Sequence, residues 1–208
     1  MPDPDTLLTY AAVVLGLFLI PGPAVLLVLA RASVGGRRVG IATGLGIAAG
    51  DLLHTAMAVV GLSAVLMTSA LAFSLVKYAG AAYLIVLGLR ALAERGGELS
   101  LGPARQVDPR LAFRQAVLAE VLNPKTALFF LAFLPQFVRP GQGSVPAQLV
   151  VLGLVFVGMS VVYTTLLALA AGQVAGWLAR HRRIGRWQGR VVGAIYLGLG
   201  IRLALQER

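Results

Sequence analysis

Eight residues stand where their chemistry clashes with their neighbours. They are Pro21, Gly22 and Pro23 in LFLIPGPAVLL, Asp51 in GIAAGDLLH, and Glu120, Asn123, Pro124 and Lys125 in AEVLNPKTALFF. A proline inside a helix removes a backbone donor, and Gly22 admits backbone angles that other residues avoid. In lipid such a break must line a cavity or be buried in protein. Asp51, Glu120 and Lys125 are charges within apolar runs, a placement that marks proton relays, cation ligands and substrate paths. Pro23 lies eight residues before Arg31, about 12 Å along a helix, and Asn123-Pro124-Lys125 about 9–11 residues after Arg114, roughly 15 Å. The two breaks therefore reach similar depth. Glu120, one turn before Asn123, shares its face. Plainer roles compete with these: a snorkelling Lys125, a Glu120 that only neutralises it, and a helix-packing hydrogen bond for Asp51. His54, three residues after Asp51, reads more readily as a bystander than as a group that tunes a proton site.

The elements that position these residues follow from composition. The 208-residue chain is 58% hydrophobic and 12% charged, with mean hydropathy +0.85. Soluble domains carry about 25% charged residues, so this is a membrane protein. With no cysteine, disulfides, thiol catalysis and Cys-ligated metals are excluded. The two histidines, His54 and His181, are too far apart for a metal motif, and no cofactor signature appears. A bilayer core of about 30 Å takes roughly 20 apolar residues per helix, and six runs qualify: 6–30, 40–62, 64–92, 112–138, 146–172 and 188–206. The first run is too long, and MPDPD too acidic, for a secretory signal.

Net charge is +10. The arginines sit in short loops and set topology, so they do not argue for nucleic acid as a partner. Loops one, three and five hold Arg31, Arg37 and Arg38; Arg90, Arg95, Arg105, Arg110 and Arg114; and Arg180, Arg182, Arg183, Arg186 and Arg190. The opposite side has only Lys77, Arg139, Arg202 and Arg208. The positive-inside rule places the rich loops in the cytoplasm and both termini outside.

The polar segment 93–111 divides the chain into a first three-helix repeat, 1–92, and a second, 112–208. Gly80-Ala-Ala-Tyr83-Leu84 returns as Gly193-Ala-Ile-Tyr196-Leu197, and each half opens with a proline-broken helix. Three helices per half make the repeats inverted, so the expected fold is all-α, polytopic and two-fold pseudo-symmetric, with its site at the matching breaks. Gly40, Gly44, Gly46 and Gly50 have small-xxx-small spacing, which favours close helix packing. Nothing assembles a nucleophile with a base.

The ordered set PGP, GLGIAAGD, KYAGAAYLIVLGLRAL and LNPKTALFFLAFLPQF resembles the LysE/RhtB family of amino-acid exporters, over nearly the whole chain and closest to the RhtB-like branch. That resemblance implies a carrier of the bacterial inner membrane that exports amino acids or derivatives, by exchange with protons. It leaves a homo-oligomer open. Where many of the family carry Asn, this chain has Glu120. On this reading half-helix dipoles and Lys125 take the substrate carboxylate, while Asp51, with Glu120, takes an ammonium or a proton. A membrane-embedded enzyme or assembly factor, and a passive channel, are the competing expectations.

Overall fold

The computed structural model describes residues 2–19, 22–62 and 107–174, with single helical positions between 78 and 92 and between 194 and 205. Pro21, the linker 93–106, loop five and, apart from those positions, the third and sixth expected spans lie outside the described residues. So do Gly80, Tyr83, Leu84, Gly193, Ile195 and Tyr196 of the recurring segments. Among the described residues all regular structure is helical.

Helix α1 (Pro4–Leu19) starts where the Asp3 carboxylate accepts the Thr6 amide at 2.8 Å, an N-terminal cap. It ends ahead of Pro21 and Pro23. Neither can donate to the carbonyls of Leu17 and Leu19, four residues back. Helix α2 (Pro23–Met57) begins with Pro23 in the first turn, where proline's fixed φ suits a helix start.

Helix α2 is two arms, because Gly36 has φ 76° and ψ 179°, a region essentially reserved for glycine. The chain doubles back there. A Cβ on Gly40 would lie 2.5 Å from that of Ala32, whereas eight residues of straight helix would part them by about 12 Å. The first cytoplasmic loop expected from Arg31, Arg37 and Arg38 is thus a hairpin turn at one glycine. The second arm ends in a π-helical turn, Ala58–Leu62.

Helix α3 (Pro109–Val121) is capped by Asp108, which accepts the Arg110 amide at 2.8 Å. It stops at Leu122 and Asn123. Helix α4 (Pro124–Leu128) then starts afresh, capped by the Asn123 side chain, which accepts the Lys125 amide at 3.1 Å. It continues through a π-helical turn, Phe129–Phe133, and a 3-10 turn, Leu134–Phe137. α3 and the α4 segment meet at 45°. Helix α5 (Val145–Leu169) is unbroken over 25 residues. By length and composition Val145–Leu169 can cross a membrane and the bent pair can make another span, while Pro23–Gly61, which also passes that test, is folded into two arms at Gly36.

Helix α2 packs chiefly on α3 and α5. A Cβ on Gly44 would sit 2.7 Å from the Thr164 hydroxyl of α5, and one on Gly46 would meet the Phe113 carbonyl of α3. Arg31 donates to Gln115 at 2.7 Å, tying the Gly36 end of the bundle to the start of α3. At the other end Arg139 pairs with Asp3 at 3.0 Å. The broken segments α1–α2 and α3–α4 therefore run in opposite directions.

Two apolar clusters are buried among the described residues. One joins Tyr10, Val14, Phe129, Phe130, Leu152 and Phe156. The other joins Val25, Leu29, Ile47, Ala116 and Ala168. On each element the polar residues fall between the two: Asp51 and His54 between Ile47 and Ala58, Glu120 and Asn123 between Ala116 and Phe129, Ser160 and Thr164 between Phe156 and Ala168. Among the described residues a polar layer thus lies between two apolar layers.

Candidate functional site

Both proline breaks withdraw the i+4 donor from a backbone carbonyl, and each carbonyl meets a side chain of the other half. Pro21 has no N–H for the Leu17 carbonyl, and the Lys125 ammonium donates to that oxygen at 2.8 Å. Pro124 has no N–H for the Glu120 carbonyl, which instead accepts the Asn123 amide at 2.9 Å and has His54 Nε2 3.0 Å away. A carbonyl only accepts, so the geometry assigns the hydrogen to Nε2. The His54 ring stacks on Phe130 with centroids 5.7 Å apart. His54, a bystander in the sequence reading, in fact joins the halves at the second break.

The Glu120 carboxylate is held by its own break. Asn123 Nδ2 donates to its two oxygens at 3.1 and 3.2 Å, and the Thr126 hydroxyl donates to Oε1. Gly50 permits the approach, since a Cβ there would lie 2.6 Å from Glu120 Cβ. The Asp51 carboxyl, 1% exposed, interacts with Glu120 across this contact. It also accepts the Ser160 hydroxyl at 2.6 Å. Two carboxyls and one ammonium are thus gathered in a layer where unpaired charge is costly.

These groups line a cavity of about 40 Å³ with Gly22, Asn123, Phe156 and Tyr163 among its other walls. A water needs roughly 10–15 Å³ of such space, so the cavity admits a few waters. A Cβ on Gly22 would lie 3.4 Å from the Lys125 ammonium, so the missing side chain leaves room for it. Ala24 and Val25, in the first turn of α2, belong to the cavity wall, and no side chain caps that helix start. An electropositive helix end therefore faces the same space as Lys125.

Of the eight residues singled out in the sequence, Gly22, Asp51, Glu120, Asn123 and Lys125 line this cavity. Pro23 and Pro124 start the half-helices beside it. Pro21 lies outside the described residues. Sequence reasoning missed Ser160, Thr126 and the Leu17 carbonyl. Ser160 and Thr164 are polar residues one turn apart in an apolar helix, a signal for bonds between helices. The Leu17 carbonyl could have been found by counting four residues back from Pro21. Among the described residues no group of His, Asp and Glu could hold a metal ion.

Fold and site together define a membrane-embedded helical protein with a charged cavity at paired helix breaks. The profile of the LysE type translocator family matches residues 15–207. The chain belongs to that family, whose members are transporters and not enzymes. A membrane protein of Pseudomonas aeruginosa is 33% identical over 201 residues, covering 94% of this chain and 93% of its own. A membrane protein of Bacillus subtilis, YrhP, is 28% identical over 211 residues, 96% of this chain and 99% of its own. A homoserine/homoserine lactone efflux protein of Salmonella typhimurium is 32% identical over 166 residues, 79% of this chain and 76% of its own. No solved structure matches the chain.

Proposed function

We propose that this protein is a secondary exporter of amino acids or their derivatives, working by alternating access in the bacterial inner membrane in exchange for protons. The observation that carries the reading is the buried polar layer, where two oppositely directed broken helices bring Lys125, Asp51 and Glu120 around one cavity. Homoserine and its lactone are the first substrates to try, because relatives that export them share most of the chain.

The substrate carboxylate meets Lys125 and the uncapped start of α2, displacing the Leu17 carbonyl from the ammonium. Its own ammonium meets Asp51 beside Glu120. When the substrate leaves outward, Asp51 takes the returning proton. Six spans in two inverted repeats, 1–92 and 112–208 around the linker 93–111, rock about this layer. Loops one, three and five face the cytoplasm and both termini face outward. In support, the arginine-rich Gly36 turn and the Asp3–Arg139 pair lie at opposite ends of the bundle.

Proteoliposomes test the coupling. Asp51→Asn keeps an acceptor for Ser160 and removes the titrating group. It should bind homoserine more weakly and, even at saturating homoserine, lose pH-gradient-driven efflux. Full gradient-driven efflux by this variant would remove Asp51 from the coupling step.

A further inference from the structure

The buried face of α1 carries Thr6, Tyr10 and Val14, and at Leu17 it reaches the Lys125 ammonium. It is a track from the Asp3–Arg139 end of the bundle to the charged cavity. Two hydroxyls on it have no hydrogen bond. Tyr10 is 0% exposed and its hydroxyl is unpartnered. The Thr6 hydroxyl, one turn nearer the end, is also buried without a hydrogen bond, although the Asp3 carboxylate is near. Buried hydroxyls are ordinarily bonded, and an orphan points to a ligand, a water or a second conformation.

The surroundings of Tyr10 suit one chemistry. Its ring meets Phe137 edge-on at 5.1 Å and Phe129 at 5.9 Å, and Phe133 packs between those two. Ring faces attract cations, and most strongly ammonium groups stripped of water. Tyr10 lies about two turns from Leu17 on the same face of α1, so a cation leaving the cavity along that face meets this group of rings next.

We propose that Tyr10, with Phe129, Phe137 and Thr6, forms a second station for the substrate's ammonium on the outward path, closed in this conformation and completed when the rings part. The Tyr10 hydroxyl then accepts from the ammonium while the ring faces flank it. The station rests on the export reading above, because it presumes that this end opens outward.

The test uses Tyr10→Phe, which keeps the ring and removes the hydroxyl. With radiolabelled homoserine, the KM measured from the outer side in right-side-out vesicles should rise about tenfold, the weight of one hydrogen bond. The KM from the cytoplasmic side in inside-out vesicles should not change. An unchanged outer KM, or an equal rise on both sides, overturns the station. A second measurement does not depend on homoserine being the substrate. The chain has no cysteine, so Thr6→Cys is a single reporter. An impermeant maleimide added outside intact cells should label it. Tetramethylammonium, the probe cation, should slow the labelling, and less so in Thr6→Cys/Tyr10→Phe. Labelling that is absent, or insensitive to the probe, overturns the station. Absence of homoserine flux in the wild-type protein, with probe-sensitive labelling intact, would instead count against the export reading.

Discussion

Lys125→Met removes the ammonium while keeping most of the side chain's bulk. Lys125 donates at 2.8 Å to the Leu17 carbonyl, which Pro21 cannot serve. The substitution leaves that oxygen without the ammonium and two carboxyls without their nearby positive charge. A hydrogen bond to a charged group contributes about 1.5–3 kcal/mol. Lys125 is only partly buried, so water recovers some of this and about 2 kcal/mol is the expected loss. For a chain of this size that lowers Tm by ~4–8 °C, read by thermal unfolding in detergent, and efflux should fall with it. The charge part is separable. Lys125→Met/Glu120→Gln removes one charge of each sign and should unfold closer to the wild type than the two single effects summed. A Lys125→Met protein that melts within ~1 °C of the wild type would refute the claim that the ammonium replaces the donor lost at Pro21. A strictly additive double variant would refute the charge coupling.

Two further outcomes follow from the ends of the bundle. Gly36 sits at φ 76° and ψ 179°, so Gly36→Ala should cost about 1–3 kcal/mol and lower Tm in the same detergent assay. A neutral result would mean that the hairpin relaxes without that backbone angle. At the opposite end the Thr6 amide, with the Arg139 charge, holds the Asp3 carboxyl below its ordinary 3.8. A depressed carboxyl stabilises the fold above its unfolded value and loses that effect as acid takes the pH through the folded one. The wild type should therefore lose more Tm than Asp3→Asn between about pH 5 and about pH 3, and equal losses would contradict it.

The breaks were legible because proline chemistry is local. PGP and NPK announce missing donors wherever they fall, and a long apolar run sets the expected environment. The glycines at 44, 46 and 50 could be read as packing positions for a similar reason, since a helix repeats its faces every three to four residues. The turn at Gly36 was harder to place. Three arginines suggested a loop, but helix persists on both sides, and the reversal rests on one positive φ that no spacing announces.

Sequence alone determined that two carbonyls would lose their helical donors and that Lys125, Asp51 and Glu120 would need company in an apolar setting. Only the tertiary structure decided the pairing. Lys125 crosses 108 positions to Leu17, His54 crosses 66 to Glu120, and Ser160 crosses 109 to Asp51. Such partners are chosen by which helices approach closely, and here that is set by missing side chains such as that of Gly50 and by the doubling back at Gly36. A hydrogen bond acts over about 3 Å, so which groups form the site depends on helix packing and not on any local pattern.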